Sequence, residues 1–134
     1  MPKGAAVKPV SLDALFDEMQ ALLTPYARLF SVVEGRVKVG DKRDYHLVTK
    51  KEVTVDGRKY DERWFASLIL QRGYVGFYFT PIASSLKKAL APDLMKLLKG
   101  KSCFHVKALT PELKTAIRDA LRTEAEYYKK NGWV

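Results

Sequence analysis

Leu12, Leu15, Phe16, Met19, Leu22 and Leu23 recur at the three- and four-residue spacing of one helical face, and Ser11 stands where a cap would start that helix. Thr24-Pro25 reads as a fresh N-cap followed by a first-turn proline, so Tyr26 to Phe30 is expected to form a second short helical piece. Glu34 to Arg43, with Gly35 and Gly40, reads as a polar connector. From Asp44 the period changes to that of strands, over Asp44 to Lys50 and Lys51 to Val55. Asp56-Gly57 is a two-residue hairpin signal leading into Arg58 to Tyr60. Arg63 to Gln71 and Tyr74 to Thr80, joined at Arg72-Gly73, predict an antiparallel hairpin.

Pro81 and Pro92 bracket one or two short helices through Ser85 to Leu98, and Ser102 to Lys107 is the last predicted strand. Thr110-Pro111-Glu112 opens a final helix with a hydroxyl cap, a first-turn proline and a carboxylate at the positive end of its dipole. Leu113, Ile117, Ala120, Leu121, Glu124 and Tyr128 lie along one side of it. The carboxylate of Glu124 interrupts that apolar stripe, which predicts a more exposed C-terminal half. The order of elements is that of an α+β domain: about five antiparallel strands, packed mainly on one face by the N- and C-terminal helices. A single domain over residues 11–134 is expected, preceded by a loose arm at residues 1–10.

Several of these segments carry recognisable wording. Gly100-Lys101-Ser102-Cys103-Phe104 precedes a helix that ends in Tyr128-Lys129-Lys130-Asn131-Gly132. The helix at Leu15 to Tyr26 ends in Pro-Tyr, Trp64-Phe65 forms an aromatic pair, and Tyr74 to Pro81 reads Tyr-Val-Gly-Phe-Tyr-Phe-Thr-Pro. In this order the chain resembles the YdhG-like family (domain of unknown function 1801) over nearly its whole length. The resemblance implies the same α+β layout. It also implies iron handling as an alternative function, since members are commonly labelled iron chaperones through a likeness to frataxin. A hard cation needs clustered oxygen ligands. The first helix offers Asp13, Asp17 and Glu18, and the last offers Glu112, Asp119, Glu124 and Glu126 among many lysines.

At 134 residues, with 47% hydrophobic and 29% charged residues, the composition fits one globular domain. The apolar runs fall far short of the roughly 20 residues that span a bilayer, so no membrane segment is expected, and residues 1–11 lack the apolar core of a secretory signal. Cys103 is the one cysteine, so no internal disulfide can form, which is the pattern of a reducing cytoplasm. The formal net charge is +9, and 16 basic against seven acidic residues between Arg36 and Lys107 place that whole excess in the middle of the chain. Such a field draws anions.

Lys99-Gly100-Lys101-Ser102 ends like a phosphate-binding loop, but Met95 stands where the first glycine belongs and a strand follows where a helix should. Nucleotide hydrolysis by this route is excluded. Gly100 is instead expected in a left-handed conformation that closes the preceding helix, with Lys99 and Lys101 at the negative end of its dipole. Cys103 and His105 leave one face of a strand, the minimum for a cysteine nucleophile, yet no orienting group or oxyanion site can be named. A metal site from Cys103, His46 and His105 would need a carboxylate as well and has no recognisable spacing.

The aromatic residues from Tyr60 to Phe79 are more than a one-sided sheet requires. Alternation sends Trp64, Ala66, Leu68 and Leu70 to one side of their strand and Phe65, Ser67, Ile69 and Gln71 to the other. Together these features favour a non-enzymatic binding module with a basic, aromatic-lined groove formed by Lys99, Gly100, Lys101, Cys103, His105, Trp64, Phe77 and Phe79. Its occupant would be an anionic small molecule, nucleic acid or an acidic protein surface. No catalytic residue, metal ligand or cofactor is assigned. Iron chaperoning is the first alternative, and a cysteine-dependent enzyme of unknown substrate is the second.

Overall fold

The computed structural model describes residues 11–35 and 43–134. The expected arm at residues 1–10 and most of the Glu34 to Arg43 connector lie outside them. The elements begin with α1 (Leu12–Leu23), a 3-10 helix (Thr24–Leu29), β1 (Ser31–Glu34), β2 (Asp44–Val48), β3 (Val53–Val55) and β4 (Arg58–Tyr60). There follow β5 (Trp64–Gln71), β6 (Tyr74–Tyr78), α2 (Ser84–Lys88), α3 (Pro92–Met95), β7 (Leu98–Lys99), β8 (Cys103–Val106) and α4 (Pro111–Lys130). Six strands form one antiparallel sheet in the order β1-β2-β5-β6-β8-β7, and β3-β4 forms a separate hairpin. The chain is therefore an α+β domain, its sheet packed by the N-terminal helical segment and by α4. Among the described residues no helix is long and apolar enough to cross a membrane.

Local chemistry sets the helix ends. The Ser11 hydroxyl accepts from the Ala14 N–H at 3.1 Å, and Thr110 does the same for Leu113 at 3.1 Å, so each long helix starts on a hydroxyl cap. Thr24 departs from the expectation. Its hydroxyl donates back to the Ala21 carbonyl at 3.4 Å, and the 3-10 helix that follows has no side-chain cap. Asp56 and Gly57 turn the β3-β4 hairpin with φ of 50° and 78°, the positive pair that a two-residue turn of this hand demands.

Gly100 has φ 76°, as expected, but for a different reason. The preceding helix already ends at Met95, and Gly100 sits in the turn of the β7-β8 hairpin. Lys99 and Lys101 are consequently strand and turn residues, away from any helix dipole. β1 was not apparent in the sequence, because Ser31 to Glu34 is mostly exposed and carries no alternation; its pairing with β2 defines it.

Helices cover one face. Phe16, Met19 and Leu23 of α1, Leu94 of α3, and Ile117, Leu121 and Tyr128 of α4 pack there with Leu68, Phe77 and Phe104 of the sheet. Phe65 stacks on Phe30 at 4.4 Å and meets the Tyr128 ring edge-on at 5.3 Å. Its presence in this core overturns the expected alternation. Leu47 pairs with Ala66 while Val48 pairs with Trp64, so Phe65 is an extra residue in the ladder, a β-bulge. The bulge turns Phe65 inward and leaves Trp64 41% exposed, edge-on to the His46 ring at 4.7 Å.

Glu124 also corrects the sequence reading, being only 1% exposed on the buried side of α4. Its Oε2 accepts from the Ile82 N–H at 2.9 Å, and its Oε1 is buried with no partner among the described residues. Burial raises its pKa to about 7 against the opposing pull of that N–H and of Arg63.

Candidate functional site

The strand register decides which side chains share the face opposite the helices. One row across the sheet runs His46, Ser67, Tyr78, Cys103, and the next runs Asp44, Ile69, Gly76, His105. Towards β2 this face is closed: Asp44, His46 and Ser67 are buried. His46 Nε2 lies 2.7 Å from Asp44 Oδ2, while Asp44 Oδ1 accepts from the Gly35 N–H at 2.9 Å. Towards β6 and β8 it is open, and Tyr74, Tyr78, Cys103 and His105 are all half-exposed.

Two ring arrangements shape the open part. The Tyr74 and His105 rings stack with centroids 3.8 Å apart and planes 14° from parallel. Tyr78 leans over Gly76, where an added Cβ would come within 3.0 Å of its ring, so the glycine makes room for the tyrosine. Burial, then the hydrogen bond with the Cys103 thiol, holds the Tyr78 hydroxyl above its ordinary pKa. The thiol thus has Tyr78 as neighbour, and the imidazole of His105 has Tyr74.

A cavity of about 580 Å³ opens beside this face, between α3, the β7-β8 hairpin and the start of α4. Lys96, Lys99, Lys107 and His105 line it, with Asp93 and Glu112 also on its wall. Asp93 is engaged with Lys96 at 3.3 Å. Among the described residues neither Lys99 nor Lys107 has a carboxylate within 4 Å, while Glu112 shares the cavity wall with them.

The expected site residues therefore separate into groups. Lys99 and His105 come together in this cavity, joined by Lys96 and Lys107. Cys103 is on the same sheet face one row away, and Gly100 and Lys101 occupy the exposed hairpin turn. Trp64 lines a different cavity, of about 330 Å³, with Arg63, Ser67, Tyr78 and Ser102. Phe77 and Phe79 are 0% and 3% exposed in the core and cannot line a groove. They alternate with Tyr78 and share the core side with Val75, beneath the helices.

His46 and His105 sit on strands three places apart, about 14 Å at the spacing of neighbouring strands, so one ion cannot bridge them. Among the described residues no three His, Cys, Asp or Glu side chains gather as a metal site. The sequence reading missed Tyr74 and Lys107 as members of the site. The Tyr74 ring meets His105 on the diagonal of adjacent strands, a contact that needs the β6-β8 register to be known. Comparison of the chain with protein-family models, with curated proteins and with solved structures finds no match.

Proposed function

We propose that this protein is a binding module for an anionic ligand, held at the β7-β8 end of the sheet by Lys99, Lys107 and His105, with Lys96 at the rim. The observation that carries the reading is the 580 Å³ cavity, into which three lysines and a histidine converge against two acids, one of them engaged with Lys96. The lysines are exposed, so they attract an anion as surface charges gathered on one wall, and the net +9 carried by residues 36–107 raises the local anion concentration. The stacked Tyr74-His105 rings fix the imidazole at the cavity's sheet side. The function is recognition, with no covalent step assigned to Cys103.

Inorganic pyrophosphate is a suitable probe, followed by amide chemical shifts. Binding is expected to move resonances of residues 96–113 and to vanish in Lys99→Glu/Lys107→Glu. Both lysines are exposed, so the variant should fold as wild type does. Shifts confined to other parts of the chain, or unchanged affinity in the double variant, would refute the assignment.

A further inference from the structure

The helix-free face continues from the lysine-lined cavity across β8 and β6, and it combines ring surfaces with an excess of positive charge. Residues 72–80 and 98–107, which supply β6, β7, β8 and their turns, contain Arg72, Lys99, Lys101 and Lys107 and no acidic residue. All four are exposed. Within that rim lie the Tyr74-His105 stack and the Tyr78 ring over Gly76. His105 and Tyr78 stand on paired strands one row apart, which is a diagonal separation of about 7–8 Å.

We infer that the open face binds single-stranded nucleic acid, with bases on the Tyr74-His105 pair and on Tyr78 and phosphates against Lys99, Lys107, Arg72 and Lys101. This rests on the reading that the lysine-lined cavity takes an anion. Aromatic side chains on an open antiparallel sheet stack unpaired bases without regard to sequence, because every base has a π-face. A base can lie on these rings only when its own face is not already covered by a neighbouring base. A duplex, whose bases stay stacked and paired, cannot. The rim charge supplies the complementary field: four cations on these segments, against Glu112 and the Lys96-paired Asp93 on the cavity wall.

The test is fluorescence anisotropy with labelled oligouridylate and oligothymidylate of about ten nucleotides, within the span of one such domain, and a duplex of equal length, at about 50 and 200 mM salt. Both single strands should bind more tightly than the duplex, and preference between them identifies RNA or DNA. With three to four phosphates engaged, log K should fall with log salt at a slope of about −2 to −3. Tyr74→Ala and Tyr78→Ala should each weaken binding roughly 5- to 100-fold with the slope unchanged, and Tyr74→Phe should restore it. Lys99→Glu/Lys107→Glu should flatten the slope by about 1.4 or more.

Equal affinity for duplex, or indifference to both tyrosines, overturns the proposal. So does displacement of oligonucleotide by polyglutamate at equal charge concentration, which would mark an acidic protein surface as the occupant. If pyrophosphate binds in a lysine-dependent way and no oligonucleotide does, the nucleic-acid inference fails while the anion site stands. If neither probe binds, both fail.

Discussion

Replacing Glu124 by Gln tests the energetics of the buried end of α4. The carboxyl is 1% exposed, accepts one N–H from Ile82, and has a second oxygen with no partner among the described residues. Its pKa rises from 4.5 to about 7, so the folded state holds the proton more tightly than the unfolded chain does. At 1.36 kcal/mol per pKa unit the shift corresponds to about 3 kcal/mol. The sign follows from linkage: this stability is fully present below about pH 4.5, declines as pH rises, and is gone above about pH 7, where Glu124 must be buried ionised.

Glutamine keeps a carbonyl for the Ile82 N–H and cannot ionise. Urea unfolding followed by the fluorescence of Trp64 and Trp133 at several pH values gives the stability difference between wild type and Glu124→Gln. That difference cancels the other titrating groups. It should shift in favour of the variant by about 3 kcal/mol between pH 4.5 and pH 8. A difference that stays constant within about 0.5 kcal/mol over this range would refute the reasoning.

Two further substitutions address the rest of the scaffold. Asp44→Ala leaves the buried His46 Nε2 without its partner and frees the exposed Gly35 N–H to water, and should cost about 1–3 kcal/mol in urea unfolding; a loss below about 0.5 kcal/mol would show that the pair is dispensable. Gly100→Val should cost more than about 1 kcal/mol through backbone strain alone, since a Cβ there meets no atom within 4 Å while φ is 76°. Thermal melts of Gly100→Val and Gly100→Asn compare a β-branched residue with one that tolerates the left-handed region, and equal stability of wild type and the valine variant contradicts the turn assignment.

The helices and hairpins were legible because their signals are local. Ser11, Thr110-Pro111 and the apolar stripes of α1 and α4 act within a few residues, and Asp56-Gly57 fixes its turn without help from the rest of the chain. What stayed hidden depends on partners far along the sequence. β1 is a strand because β2 pairs with it, not because Ser31 to Glu34 alternate. The inversion at Trp64 and Phe65 comes from one bulge against β2, and one extra residue exchanges the faces of everything before it. Glu124 looked like an interruption of an apolar stripe, yet Ile82, 42 residues away, supplies the donor that lets it enter the core. The site followed the same division: Lys99 and His105 were named from adjacent sequence and Lys107 follows on the same strand face, whereas Tyr74 joined them only through the β6-β8 ladder and Lys96 through the placing of α3.

The strand order has a kinetic consequence. The β5-β6 and β7-β8 ladders join strands separated by short turns, and the β2-β5 ladder only encloses the small β3-β4 hairpin, so most of the sheet can zip from contacts between near neighbours. The two long helices are different. α1 and α4 come from opposite ends of the chain and touch one another over the same sheet face. Closing so long a loop carries an entropy cost that no turn can reduce, and it is offset only once both helices bury their apolar stripes. This topology predicts that sheet formation is the fast, local part of folding and that the meeting of the first and last helices limits the rate. In stopped-flow refolding, core substitutions in α1 or α4 should then slow folding more than turn substitutions do.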